Sequence, residues 1–417
     1  MRLLLLLLAP LVLGASQNPA AWRAEGKALK AKGDAAGALV AFEKAAADQP
    51  AAADLQDEIG FLLAVLGRNQ DAMARFDRAI ALDANYAPAH YHLAVAAWLQ
   101  KNPNVAIPAA QAAVRLDPRN GEYRFRLGAM LCEVGHASEA VQELSKAAEL
   151  SPARADIWYQ LGLAQQLKLD LPAARTAYQK ATDLRPASTD YRNSLGLIMV
   201  ETGAADQGLA QFRAVLQREP NNSAAKINIG YAYLQRGDYS KAVEQFQSLK
   251  QLYPEHAVIR YDLGLALKQL DQLTDAIAEF REAIRLEPGM VESYYTLGIT
   301  YWQNGDFPAT IDAMRGAIRL RPEYAEAHYM LGTALKQQGE LPEASVALEE
   351  AIRLNPGTPG PFNTLAQVRQ AQGDKEAAKI LFAKAAAVKK LIEAAQERKL
   401  GTMGHSAMDV PKGKPGR

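Results

Sequence analysis

Two histidines separated by one residue, His90 and His92 in the run Ala-His-Tyr-His, carry side chains able to bind a metal ion. Positions i and i+2 of a helix point to different faces, so the pair does not chelate one ion together. His90 also shares a column with Trp22, Trp158 and His328, which predicts packing. His136, His256 and His405 are scattered over a turn, a loop and the C-terminal stretch. Cys132 is the only cysteine, so no intramolecular disulfide forms, and its apolar helical neighbours predict a small packed side chain rather than a reactive thiol. Asn221-Asn222-Ser223 fits a glycosylation acceptor, which has meaning only on a eukaryotic secretory route. There is no glycine-rich phosphate loop, no paired-cysteine motif and no serine nucleophile elbow. Most carboxylates fall in first helical turns or i,i+4 pairs, where the helix dipole and surface pairing account for them. The sequence therefore predicts a non-enzymatic protein with no catalytic residue, no metal site and no cofactor.

The elements that position these residues repeat. In Ala325 to Thr358, His328, Leu331, Gly332 and Leu335 recur at helical spacing, Gly339 interrupts, Ala344, Leu348, Ala351 and Ile352 recur again, and Pro356 stops the run. This predicts helix, tight turn, helix and stop. Eleven such windows of thirty-four residues run from Pro19 to Ile392 without insertion. Where the two helices of a window cross, one column reads Gly26, Gly60, Ala94, Gly128, Gly162, Gly196, Gly230, Gly264, Gly298, Gly332 and Ala366, never larger than a methyl group. A hairpin of this kind buries both faces only by stacking on neighbours.

Departures from the pattern carry expectations of their own. Most hairpin turns hold a glycine, often followed by a capping aspartate, as in Gly33-Asp34, Gly237-Asp238, Gly305-Asp306 and Gly373-Asp374. Repeats three, five and eight place Lys101, Leu169 and Asp271 there instead and are expected to turn less favourably. Pro108 lies five residues after Pro103 and predicts a kink or a late start in the second helix of repeat three. Val215 and Leu249 enlarge one alanine column while Gly208 shrinks another, which predicts altered helix spacing in repeats six and seven.

The bulky residue, Leu-Gly, turn Gly, Ala, an aromatic residue or Leu, Ala and closing Pro of these windows resemble the tetratricopeptide repeat family over nearly the whole chain. The resemblance implies an all-α fold, a right-handed superhelical solenoid of eleven helix-turn-helix repeats whose first helices line a concave groove for peptide or protein segments. On that face one column reads Arg23, Asp57, Tyr91, Phe125, Tyr159, Asn193, Ile227, Tyr261, Tyr295, Tyr329 and Asn363, giving two aromatic tracts. Trp98 and Trp302 reinforce them. Tyrosine at this place in the family also packs neighbouring first helices, and that reading stands beside the binding one. Gln235, Gln269, Gln303 and Gln337 occupy one column of repeats seven to ten. A primary amide both donates and accepts, so this ladder is a candidate to hold the backbone of an extended peptide; equally, glutamine is a good helix former on a solvated face. An acidic column, Asp54, Glu122, Asp156, Asp190, Glu292 and Glu326, favours basic partners or simply complements helix dipoles.

Net charge is +1 from 47 Lys and Arg against 46 Asp and Glu, so no general field attracts nucleic acid. Residues 1–16 read as a signal peptide, an apolar run from Leu3 to Leu13 followed by Gly14, Ala15 and Ser16, with cleavage expected near Ala15 or Ser16. That predicts an exported, periplasmic or secreted protein without stable membrane insertion after cleavage. Beyond Ile392 the last second helix is expected to continue as a cap through residues 393–400, and residues 401–417 to form a disordered basic tail. Some sugar transferases carry similar repeats ahead of a catalytic domain, for which residues 393–417 lack room. The function expected is an interaction scaffold; the alternatives are an adaptor in an envelope secretion or exopolysaccharide export assembly, or a regulatory repeat module of a glycosyltransferase-like system.

Overall fold

The computed structural model describes residues 19–406. Among them are twenty-two α-helices and no strand. The chain forms two compact units that divide between Gln211 and Phe212. In the first, α1 (Pro19–Ala31), α2 (Ala35–Asp48), α3 (Ala53–Val65), α4 (Asn69–Leu82), α5 (Ala87–Leu99) and α6 (Pro103–Leu116) form three hairpins. They are followed by α7 (Gly121–Glu133), α8 (Ala137–Leu150), α9 (Ala155–Leu167), α10 (Leu171–Leu184) and α11 (Thr189–Glu201). The division falls within α12 (Ala205–Arg218). The second unit holds α13 (Ser223–Arg236), α14 (Tyr239–Leu252), α15 (Ala257–Gln269), α16 (Leu273–Leu286), α17 (Val291–Gln303) and α18 (Phe307–Leu320). It continues with α19 (Ala325–Gln338), α20 (Leu341–Leu354), α21 (Pro359–Ala371) and α22 (Lys375–Ser406).

Small side chains set how closely each pair of helices approaches. A Cβ on Gly60 would lie 2.6 Å from the ring of Phe76, and one on Gly264 would lie 2.7 Å from that of Phe280. Both rings are fully buried, so they have no free direction in which to yield. Where alanine replaces glycine at Ala94, the register puts buried Ala110 in place of the aromatic ring. Gly208 faces backbone instead, since a Cβ there would meet the Gly196 carbonyl oxygen at 2.6 Å. Buried Val215 and Leu249 fill the enlarged column. Thr310, the one hydroxyl in the other small-residue column, donates to its own helix at Asp306 O, 2.8 Å away, so its burial leaves no polar group unpaired.

The hairpin turns share one backbone form. Eight glycines have positive φ, as in Gly33 at 81° and Gly135 at 84°, and Lys101, Leu169 and Asp271 take up the same form at 55°, 64° and 60°. The N–H of the residue after the turn reaches back to the same carbonyl in both classes: Asp34 to Leu29 at 3.0 Å, Asn102 to Ala97 at 3.0 Å, Asp170 to Gln165 at 2.9 Å. The three L-residues therefore carry backbone strain that glycine avoids. Asp34, Asp306 and Asp374 cap the next helix through their carboxylates. Asp238 does not, because its carboxylate turns to Arg236 and to Lys241, 3.6 Å away.

Two expectations about helix ends are corrected. α6 starts on schedule at Pro103 and runs unbroken for 14 residues through Pro108. The missing N–H of Pro108 removes a single bond near the helix start, and the flanking core residues Ala106, Ala109, Ala110 and Ala113 are buried and hold the helix in place. α22 continues to Ser406, six residues past the point where an irregular tail was expected, with no proline before Pro411 to stop it. The signal-peptide reading of residues 1–16 and the rest of the tail, residues 407–417, lie outside the described residues. Among the described residues no helix is long and apolar enough to cross a membrane.

Candidate partner-binding face

Within a unit the first helices of successive repeats stand side by side, and the aromatic column turns toward the next repeat. Tyr91 stacks on Tyr123 with ring centroids 4.8 Å apart, and its hydroxyl donates to Glu122 at 3.3 Å. Tyr159 stacks on Tyr191 at 4.7 Å and accepts from Ser194 at 3.4 Å. Phe125 is buried beneath the Arg154 guanidinium, 4.8 Å from the ring centroid. In the second unit Tyr261 shares a hydrogen bond of 3.3 Å with Thr296, and Tyr295 lies 4.9 Å from Tyr324. Tyr329 covers Gly360, where a Cβ would come within 3.0 Å of its hydroxyl. Trp98 is half-buried, and half-buried Trp302 rests against Phe307 at 5.0 Å. These rings join neighbouring repeats, and all but buried Phe125 keep part of their surface open to solvent.

Burial, reinforced by Glu122, pushes the Tyr91 hydroxyl up, and burial does the same for Tyr261 and Tyr295. The hydroxyls thus remain neutral donors through the physiological range.

Gln235, Gln269, Gln303 and Gln337 are exposed and make no hydrogen bond within the protein. They sit at the C-terminal ends of their helices, eight residues beyond the tyrosine column in Tyr261 and Gln269, which is about 12 Å along the axis. The structure therefore separates the amides from the rings lengthwise. The acidic column is largely paired: Asp54 with Arg23 at 2.6 Å, Glu122 with Arg126 and Arg154 at 2.7 and 2.6 Å, Asp156 with Arg154 at 2.6 Å, and Glu292 with Arg321 at 2.9 Å. Arginine hydrogen bonds hold Glu122 and Asp156 below the usual carboxylate range. Little of that column is left to attract a basic partner.

The two histidines that invite a metal part company. His90 Nε2 lies 3.0 Å from the Ala84 carbonyl, while His92 Nδ1 lies 2.8 Å from the Asp57 carboxylate of the preceding repeat. The His90 contact recurs in its column, where Arg124, Trp158, Arg192, Arg260 and His328 each reach the carbonyl six residues back, a latch on the loop that closes the preceding repeat. Among the described residues no group of three or more His, Cys, Asp or Glu is placed to hold a metal ion.

Two features escaped the sequence reading. Asp262 on α15 is 9% exposed and makes no hydrogen bond or ion pair, and burial pushes its carboxyl up to about 7. Its signal lay in comparing two columns thirty-five residues apart rather than one. The other is a groove of about 770 Å³ on the second-helix side, between α18 and α20, floored by Leu331 and Leu335 and edged by Ile318 and Val346. Val346 is 69% exposed, an apolar side chain left to solvent at the groove edge.

Comparison with known proteins places these repeats. The tetratricopeptide repeat family model matches residues 58–121, 159–223, 196–257, 227–291, 261–314 and 295–359. The chain is 26% identical over 145 residues to the human protein O-mannosyl-transferase TMTC1, a stretch that is 34% of this chain and 16% of that protein. Among solved structures it is similar to MamA, at 26% identity over 40% of this chain and 97% of that one, with a TM-score of 0.39. Yeast Tom70 matches at 16% identity over 94% of this chain and 97% of that one, TM-score 0.47. YrrB, described as a TPR protein with an unusual peptide-binding site, matches at 22% identity over 42% of this chain and 97% of that one, TM-score 0.38.

Proposed function

Because this chain belongs to the tetratricopeptide repeat family, we propose that it is a non-enzymatic scaffold holding protein or extended peptide segments against its first helices. The observation that carries the reading is the row of aromatic side chains, Tyr261, Tyr295, Trp302 and Tyr329, all half-buried on the first helices of consecutive repeats in one unit. Rings with polar tips bring contact area at little entropic cost, and a row spaced by the repeat suits a segment that runs across several repeats. The free amides of Gln269 and Gln303 extend that face toward the turns.

The apolar run of residues 3–13 supports export, with the scaffold acting outside the cytoplasm. Cell fractionation tests this half: recovery of the protein shortened at its N-terminus, outside the cytoplasm, is expected, and full-length protein in the cytoplasm would contradict it. An adaptor role in an envelope assembly is a narrower form of the same proposal, and co-purification with membrane machinery would support it.

Affinity capture on the full chain, followed by mass spectrometry and a broad activity screen, tests the scaffold itself. A reproducible protein partner whose binding falls when Tyr295 and Trp302 are both replaced by alanine is expected. Turnover of a substrate with no partner would overturn the proposal.

A further inference from the structure

Neighbouring first helices are joined by a recurring hydrogen bond between residues thirty-five apart. His92 meets Asp57 at 2.8 Å, Ser194 meets Tyr159 at 3.4 Å, and Thr296 meets Tyr261 at 3.3 Å. In each case the later residue belongs to the column that contains Asp262. Thirty-five residues before Asp262 stands Ile227, which offers no polar atom.

The consequence is a carboxylate without a counterpart. Asp262 is 9% exposed and has no hydrogen bond or ion pair. Lys268, on the same helix, is half-buried and is not paired with it. Neither carboxylate oxygen is among the fully enclosed unpaired atoms, so both keep an opening to solvent. Around that opening the helix places apolar side chains: Val258 one turn before and Leu265 one turn after, with Ile227 in the position of the absent partner.

A buried carboxylate is costly unless a cation completes it. A metal ion needs several oxygen ligands, and among the described residues no group of three or more His, Cys, Asp or Glu is placed to supply them. A charged head on an aliphatic stem fits better: the stem lies on Val258 and Leu265 while the head reaches the carboxylate. We propose that Asp262 is the recognition point for a lysine or arginine side chain of a bound protein segment, the missing half of a bond that three other pairs of neighbouring repeats make internally. This deepens the scaffold reading and rests on it. It makes the first-helix face of the second unit selective for segments with one basic residue at a fixed place, although the chain as a whole is close to neutral.

A library of random ten-residue peptides selected on the full chain tests the proposal. Peptides sharing a lysine or arginine at one position are expected, and changing that residue to methionine should weaken binding about tenfold to a hundredfold. On Asp262→Asn the same change should cost nothing. Ile227→Tyr, which restores an internal partner and keeps the charge, should weaken the basic peptides to a similar degree. Asparagine has the shape of aspartate and removes a buried charge, so the variant is expected to fold, as circular dichroism would show. Peptides that bind without a basic preference, or equally well to Asp262→Asn, would refute this assignment and leave the scaffold reading standing. If no peptide is selected at all, both fail together.

Discussion

Replacing Leu169 by glycine is expected to stabilise repeat five, although it removes a large apolar side chain. Leu169 sits in the left-handed region at φ 64° and its side chain is 83% exposed, so little packing is lost on truncation. Its turn bonds, Leu169 N to Gln166 O and Asp170 N to Gln165 O at 2.9 Å each, are those that the glycine turns make and are kept. An L-residue in this region costs about 1–2 kcal/mol. Glycine returns about 0.5–1 kcal/mol of that through the greater freedom of its unfolded chain. The net gain is on the order of 0.5–1 kcal/mol. Lys101→Gly should follow, and Asp271→Gly should gain least because aspartate tolerates left-handed backbone better than leucine. Gly135→Ala provides the opposite sign: no atom lies within 4 Å of the added Cβ, so its loss, on the order of 1 kcal/mol, is conformational alone. A repeat array need not unfold in one step, so the assay is native-state hydrogen exchange on α9 and α10, with Gly135→Ala followed on α7 and α8. Unchanged or faster exchange in Leu169→Gly, with normal helix content, would refute the strain argument.

Other perturbations follow from single contacts. Gly264→Ala sets a methyl group 2.7 Å from the enclosed Phe280 ring and should cost about 1–3 kcal/mol, read as lost protection in repeats seven to nine before the chain ends are affected. Asp262 has its folded pKa raised to about 7, so the folded state binds the extra proton between the ordinary aspartate value and 7 and is destabilised as pH rises through that window. Asp262→Asn should therefore raise the melting temperature at pH 8 and lose that advantage at pH 4; a gain at pH 4 alone would contradict the sign. Gln269→Ala with Gln303→Ala removes two exposed, unbonded amides and should leave stability within about 0.5 kcal/mol, so that any loss of partner affinity is attributable to the amides themselves.

The unbroken thirty-four-residue period made the helices, the crossing glycines and the turn positions legible, since each depends on residues within one window. Lys101, Leu169 and Asp271 were readable as poor turn residues for the same reason, and their positive φ values agree. What escaped depends on a neighbour in another repeat. The tyrosines read as groove or packing residues until Tyr123, Tyr191 and Thr296 showed which way they lean. Asp238 looked like a cap until Arg236, two residues before it, captured the carboxylate. Asp262 looked like any helical acid because its singularity lies in Ile227, one repeat away. Pro108 failed in the other direction, since a local rule gave way to the buried alanines that hold α6 in place.

Hydrogen exchange of the full chain with and without its captured partner tests the scaffold claim most directly. Slowed exchange concentrated on first helices, with α15, α17 and α19 foremost, is the predicted result. Protection confined to α18 and α20, around Ile318 and Val346 in the second-helix groove, would show that the partner sits on the opposite side and would contradict it.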